Sequence, residues 1–140
     1  MREIKTLKIK ASDESMPAVN DFIHSVLPAK VDDMVLNQID LAVEEIFVNI
    51  AHYSGSADAV ICTDYHISGD GSGTLTVIFK DWGKPFNPLA KADPDLTLSA
   101  EEREIGGLGI FLTKKFMDSV EYDYSDGMNC LTIKKTLLHG

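Results

Sequence analysis

Two periods of hydrophobic and polar positions run along the chain, and they predict two kinds of element. Alternation with a period of two indicates strands over residues 3–10, 59–67, 74–80, 120–124 and 128–137. Recurrence near 3.6 residues predicts a helix after Ser15, a longer one over residues 31–53 and a third at the glycines of 106–109. Because hairpins dominate this order, we expect an α/β (α+β) two-layer sandwich, with a mixed, largely antiparallel sheet and helices on one face.

One stretch of the chain follows neither period. Residues 84–105 show little periodicity, and Pro85, Pro88 and Pro94 interrupt them. A structureless connection of about 20 residues is unusual in a compact domain and is typically either a functional lid or a disordered segment. We therefore expect residues 1–140 to form a single domain, with a lid over residues 88–106 or close to them.

The composition is that of a globular protein with an acidic surface. Hydrophobic residues make up 44% of the 140 positions, which excludes a disordered chain, and the formal net charge is −9. This charge disfavours direct contact with nucleic acid or an anionic membrane, although backbone N–H groups and a metal ion would still accommodate a small anionic ligand. The N-terminus lacks the apolar run of a signal peptide, and Cys62 and Cys130 are expected to be reduced, buried thiols. We therefore expect a cytoplasmic protein.

The helix predicted over residues 31–53 carries a polar row between apolar positions. Its apolar stripe consists of Leu36, Ile39, Val43, Ile46, Phe47 and Ile50. Glu45, Asn49 and His52 fall in one row on the opposite face, and apolar residues flank that row. Such a row is expected to face a cleft, although Glu and Asn four residues apart are also common on solvated helix faces. For His52 alone, a surface histidine is the favoured interpretation.

Two further motifs stand where strands and helices meet. Asp81 continues the apolar face of strand 74–80, a costly place for a carboxylate unless a polar group pairs with it, and Gly83 follows closely. Gly106-Gly107-Leu108-Gly109 opens the third helix, where free backbone N–H groups attract anions. Taken singly, Asp-x-Gly is ordinary turn chemistry, and Gly-Gly-x-Gly is also found at simple loop-to-helix junctions.

In this order and spacing, the motifs resemble those of the GHKL ATPase superfamily, which includes histidine kinases and gyrase-type topoisomerases. Glu45-x-x-x-Asn49 matches the N-box of that superfamily, Asp81-x-Gly83 its first glycine box and Gly107-x-Gly109 its second. The resemblance covers nearly the whole chain and implies the Bergerat-type ATP-binding fold.

Within that superfamily, the chain looks closest to the stand-alone anti-sigma-factor serine/threonine kinases. The stretches that carry this closer resemblance are 42–49, Trp82-Gly83-Lys84-Pro85-Phe86-Asn87-Pro88 and 103–110. The first glycine box usually has a second glycine where Pro85 stands here. Pro85 is similar to what that branch frequently has, and it removes an N–H donor before the lid.

The resemblance implies roles for individual residues. Asn49 would coordinate Mg²⁺ through its amide oxygen, and Glu45 would be the general base or would orient the attacking oxygen. Asp81 would accept a hydrogen bond from the amino group of adenine. Arg103 would reach a terminal phosphate, or it is simply a solvated residue of an acidic run. The residues expected to bind ATP are Asn49, Asp81, Gly83, Phe86, Arg103, Gly106, Gly107, Leu108 and Gly109.

Three functions are compatible with these motifs. The favoured one is a protein serine/threonine kinase that phosphorylates an anti-sigma-factor antagonist and binds a sigma factor, as the resemblance implies, and it would act as a homodimer. The alternative is an ATP-gated protein-binding switch without significant kinase activity. The catalytic half of a histidine kinase is disfavoured, because no helical segment with a phosphoacceptor histidine precedes the first predicted strand.

Overall fold

The fold is given by a computed structural model, which describes residues 2–90 and 107–137. Five strands are present in the described residues: β1 (Arg2–Lys10), β2 (Asp58–Ile67), β3 (Gly73–Asp81), β4 (Ser119–Ser125) and β5 (Met128–Leu137). The helices of the same residues are α1 (Met16–Val26), α2 (Asp33–Asn49) and α3 (Gly107–Phe116). One turn of π-helix, Ile50–Ser54, continues α2. The prediction of one helix over residues 31–53 therefore covers α2 together with this wider turn.

The strands form one sheet in the order β1-β2-β3-β5-β4. Each of the four pairings is antiparallel, so the sheet is more uniformly antiparallel than the sequence indicates. β1 lies at one edge. In the β3–β5 pairing, Asp81 stands directly opposite Asn129, and this register brings two polar side chains to the same end of the sheet.

The core lies between the sheet and the helices. Burial alternates along β2 and β3, so every second side chain faces the helices and the others form an open face. Cys62 and Cys130 are unpaired and lie on that open face, where they are half-buried rather than buried. The two-layer sandwich predicted from the sequence is confirmed. None of the helices in the described ranges is long and apolar enough to span a membrane.

Helix α2 positions the functional side chains because it is fixed at its start and along one side. At its start, the Asp32 carboxylate accepts a hydrogen bond from the backbone N–H of Met34 at 2.8 Å, which satisfies one of the free donors of the first turn. Its buried side chains are Ile39, Ala42, Val43, Ile46 and Phe47. These residues belong to the core cluster shared with the sheet, so the rotation of α2 about its axis is fixed.

Replacing Ile39 by valine tests this packing. Ile39 is fully buried, so Ile39→Val removes one methylene group and leaves a small cavity. We expect a loss of about 1 kcal/mol in the free energy of unfolding, measured by urea denaturation. The matched control is Ile4→Val, because Ile4 is 64% exposed, and its effect should stay within about 0.5 kcal/mol. Equal losses in the two variants would contradict the placement of α2 against the sheet.

Candidate functional site

A cavity opens between the end of α2, the ends of β3 and β5, and the segment after β3. Its wall combines apolar side chains with a few polar ones, as small-molecule sites usually do. The lining residues are Ile46, Asn49, Ile50, Ser54, Phe79, Asp81, Phe86, Pro88, Tyr122, Asn129 and Leu131.

Asp81 places a carboxylate in the wall of this cavity. It ends β3 and is only 3% exposed. Its Oδ1 accepts hydrogen bonds from the backbone N–H of Gly83 at 2.8 Å and from the Asn129 amide at 3.0 Å. Within the described ranges no hydrogen bond to its Oδ2 is found. Among the described residues, Oδ1 is therefore held by two donors, and Oδ2 keeps its capacity to accept hydrogen bonds.

The turn after β3 is held against the end of α2. At Gly83 a Cβ atom would overlap the backbone carbonyl of Ser54, so only glycine fits this approach of two backbones. The same carbonyl accepts a hydrogen bond from the N–H of Lys84 at 3.2 Å, and the Ser56 hydroxyl accepts one from the N–H of Trp82, also at 3.2 Å. The π-helical turn after α2 is therefore joined to the segment that carries Asp81.

Glu45 and Asn49 lie one turn apart on α2, as the sequence predicts. The Asn49 amide donates to Glu45 Oε1 at 3.4 Å, and the Asn49 side chain lines the cavity. Asn49 Oδ1 accepts no hydrogen bond from the parts of the chain that the structure describes. An amide oxygen is a ligand that Mg²⁺ accepts. No group of three His, Cys, Asp or Glu side chains suited to a metal occurs in residues 2–90 or 107–137, so an ion here would need further oxygen ligands, such as phosphate.

The Glu45 carboxyl group packs against the first turn of α3. A Cβ atom on Gly109 would overlap that carboxyl group, so the two helices meet at this pair. Burial raises the pKa of Glu45 above its ordinary value; the hydrogen bond from Asn49 lowers this pKa, and the charge of Glu44 raises it again. A carboxylate whose pKa is raised toward neutrality is a better proton acceptor at neutral pH than an ordinary glutamate.

The structure brings part of the predicted site together at the cavity, and Glu45 is not among the residues that line it. Asn49, Asp81 and Phe86 line the cavity, with Gly83 beside it. Gly107 begins α3, Leu108 is exposed, and Gly109 contacts Glu45. Arg103, Gly106 and the proposed lid beyond Ala90 lie outside the described residues. The roles of all these residues in ligand binding stay predictions.

His52 belongs to the surface and does not complete a polar row in the cavity. Its ring nitrogen is 2.8 Å from the Asp13 carboxylate, and both side chains are exposed. The pair connects the π-helical turn with the short turn before α1. The interpretation of His52 as a surface histidine is confirmed.

Sequence reasoning missed Asn129 and Tyr122, which both line the cavity. Asn129 shares the parity of Leu131 and Ile133, so it is a polar residue on the apolar face of a strand. The same signal identified Asp81, and it was available for Asn129. For Tyr122 no comparable signal exists, because tyrosine is common on half-buried strands.

The architecture and the cavity define a small α/β domain with a candidate ligand site, and comparison with known proteins identifies its family. The model of the family described as "Histidine kinase-like ATPase domain" matches residues 9–135. The chain therefore belongs to the histidine kinase-like ATPase domain family. The resemblance to the GHKL superfamily is confirmed.

Curated relatives and a solved structure agree with this assignment. The chain is 30% identical over 105 residues to the serine-protein kinase RsbW of Listeria innocua and to that of Listeria monocytogenes, and each match covers 71% of this chain. The matched part spans 65% of the length of those kinases. The crystal structure of the RsbU and RsbW domains of a Mycobacterium tuberculosis protein superposes with a TM-score of 0.64 at 15% identity, covering 99% of this chain and 33% of the other. At that identity the structural likeness concerns the fold.

The contact between Glu45 and Gly109 predicts an unusual response to Gly109→Ala. An added methyl group must displace the Glu45 carboxyl, which is the end of a flexible side chain, while alanine favours the helix by up to about 1 kcal/mol. We expect the free energy of unfolding to change by less than about 1 kcal/mol, and the pKa of Glu45 to fall toward its ordinary value. Carboxyl ¹³C NMR titration measures that pKa. Gly69→Ala is the control, because open space surrounds Gly69, and an unchanged Glu45 pKa in Gly109→Ala would contradict the contact.

The raised pKa of Glu45 predicts how stability depends on pH. Between the ordinary glutamate pKa and the higher folded-state pKa, the folded protein binds more protons than the unfolded chain, so the free energy of unfolding falls as pH rises through that window. Glutamine does not ionise. Glu45→Gln should therefore be more stable than the parent at neutral pH, and the gain should vanish below the ordinary pKa. Urea denaturation across this range measures both effects. A variant less stable at neutral pH would contradict the assignment.

Proposed function

We propose that this chain is an ATP-dependent protein serine/threonine kinase of the anti-sigma-factor type. It transfers the γ-phosphate of ATP to a serine or threonine of an anti-sigma-factor antagonist, and it binds a sigma factor. Mg²⁺ accompanies the nucleotide, and two copies of the chain form a homodimer. The similarity to two serine-protein kinases supports this proposal at the level of the family.

The position of the Glu45 carboxyl group is the observation that carries the proposal. It lies between the Asn49 amide and the first turn of α3, half-buried and with a raised pKa. The N-terminal end of a helix attracts phosphate, because its free N–H groups and its dipole are positive. A proton acceptor beside a phosphate-binding helix end and a cation ligand is the arrangement that phosphoryl transfer to a hydroxyl group needs.

The chemistry of the residues around the cavity supports the binding of the nucleotide that this reaction uses. Asp81 Oδ2 would accept a hydrogen bond from the amino group of adenine. Apolar residues such as Phe79 and Leu131 would contact the faces or edges of the base. Asn49 Oδ1 would hold Mg²⁺ together with phosphate oxygens, and the ion would neutralise phosphate charge. The two ends of the ligand would thus be held by β3 and by the meeting point of α2 and α3.

In the proposed reaction, Glu45 accepts the proton of the attacking hydroxyl group at its carboxylate. The hydroxyl oxygen forms a bond to the γ-phosphorus, the bond from that phosphorus to the bridging oxygen breaks, and ADP leaves. General-base catalysis by a positioned side chain typically contributes about two to four orders of magnitude. The rest of the acceleration comes from holding the two oxygens in line and from neutralising the phosphate charge.

Glu45→Gln tests the catalytic role. The variant should bind Mg·ATP as the parent does but lose about two to four orders of magnitude in phosphoryl transfer. The purified chain is incubated with ATP, Mg²⁺ and the proteins encoded beside its gene. Phosphate on partner serine and threonine residues is followed by mass spectrometry.

The matched control is Glu44→Gln, which removes the same charge from the exposed neighbouring position. Its transfer rate should stay within about threefold of the parent, because Glu44 acts on Glu45 only through a weak Coulomb interaction. If no partner serine or threonine gains phosphate while a tight ATP-dependent complex still forms, the kinase proposal fails. The ATP-gated protein-binding switch is then the better description.

A further inference from the structure

Asn129 connects five groups at the floor of the cavity, of which the Gly83 carbonyl, 3.5 Å from the amide nitrogen, is the most weakly bound. Its amide nitrogen donates to Asp81 Oδ1 at 3.0 Å and to the backbone carbonyl of Lys84 at 2.8 Å. Its amide oxygen accepts from the backbone N–H of Phe86 at 3.0 Å and from the hydroxyl of Tyr122. Asn129 is buried, so these bonds are made away from water. All four hydrogen-bonding positions of the amide are therefore used by the protein.

This pattern permits only one orientation of the amide. If the Asn129 side chain turned over, its oxygen would face the Asp81 carboxylate and the Lys84 carbonyl. Its NH₂ group would then face the N–H of Phe86. Unpaired polar groups in a buried site are costly, so the observed orientation is strongly favoured.

Tyr122 completes this arrangement from β4. Its hydroxyl donates to Asn129 Oδ1 and accepts a weaker bond from the Phe86 N–H at 3.2 Å. Burial raises the pKa of Tyr122, so the hydroxyl stays protonated and remains a donor. The Phe86 N–H and the Lys84 carbonyl fix which end of the Asn129 amide points toward Asp81, and the tyrosine adds a second donor to the Asn129 oxygen.

This arrangement fixes the orientation of the Asp81 carboxylate. Its Oδ1 is held by Asn129 and by the Gly83 N–H, and these two bonds prevent the carboxylate from rotating. A fixed carboxylate presents Oδ2 in one direction. A free one would rotate to meet whichever donor a ligand offers.

We propose that Asn129 and Tyr122 are positioning residues that determine which purine base the site accepts, by holding Asp81 and the backbone of Phe86 in one arrangement. This inference rests on the proposed binding of an adenine nucleotide. A fixed acceptor at Oδ2 favours a base with an amino group at position 6 and disfavours a carbonyl oxygen there. Neither residue needs to touch the ligand for this effect, because both act through Asp81.

ADP and inosine diphosphate differ at position 6 of the purine, where the first has an amino donor and the second a carbonyl acceptor. Inosine also has an N1–H donor, to which a carboxylate free to rotate would adapt more readily than a fixed one. The ratio of the two dissociation constants in the presence of Mg²⁺ therefore measures how firmly Asp81 is held. Loss of stability alone does not change this ratio.

Calorimetric titration of the full chain with each diphosphate tests the inference. The parent should prefer ADP. Tyr122→Phe removes one hydrogen bond, so the preference should fall by about threefold to tenfold. Asn129→Ala removes a bond to a carboxylate, and the preference should fall by about tenfold or more. Tyr124→Phe, two residues along β4 at a 41% exposed position, should keep the parental ratio.

The outcomes separate the inference from the function on which it rests. If the parent binds neither diphosphate, the proposed function fails and the inference fails with it. If the parent prefers ADP but Tyr122→Phe and Asn129→Ala keep the full preference, the inference alone is overturned. Tyr122→Phe removes a single oxygen atom from a half-buried side chain, so this variant should fold even if Asn129→Ala does not.

Discussion

A carboxylate at the end of an apolar sheet face is the constraint on which the site depends. Asp81 is buried in the layer between the sheet and the helices, where a charge without partners would be strongly destabilising. Two partners come from different parts of the chain: the N–H of Gly83 requires the tight turn after β3, and the amide of Asn129 requires β5 beside β3. The tight turn after β3 also depends on the carbonyl of Ser54, which lies at the end of the π-helical segment Ile50–Ser54. The hydrogen bonds that one carboxylate requires thus bring together the turn after β3, the start of β5 and the π-helical turn.

The local sequence pattern was sufficient to predict the strands and helices. It was also sufficient to identify polar residues that are unusual for their position within a single strand or helix. The strands and helices follow from periods of two and 3.6, and the polar row on α2 follows from the same helical period. Asp81 could be recognised because its parity places a charge among Leu75, Val77 and Phe79. Each of these inferences needs only residues that are neighbours along the chain. The pairing of Glu45 with Asn49 could also be inferred from the local sequence, since both residues lie on α2.

Contacts between distant elements could not be predicted in the same way. Whether Asn129 faces Asp81 depends on the register of β5 against β3, and these strands are separated in sequence by α3 and β4. The contact of Glu45 with Gly109 depends on how α3 packs against α2. The glycine pattern in the sequence is equally compatible with a phosphate-binding loop that does not contact Glu45. The resemblance to a known family supplied the grouping of the motifs. It did not identify Asn129 or Tyr122, whose importance emerges only from the hydrogen bonds between strands.

The π-helical turn Ile50–Ser54 has a consequence for the kinetics of ligand release. The last turn of a helix is ordinarily where a helix opens most easily, and its opening usually affects nothing else. Here that turn follows Asn49 directly, and the carbonyl of Ser54 holds the N–H of Lys84. When the turn opens, the support beneath Asp81 and the helix end that carries Asn49 loosen together. The dissociation rate of a ligand bound at both ends should therefore follow the opening rate of this single turn more closely than the global stability of the domain.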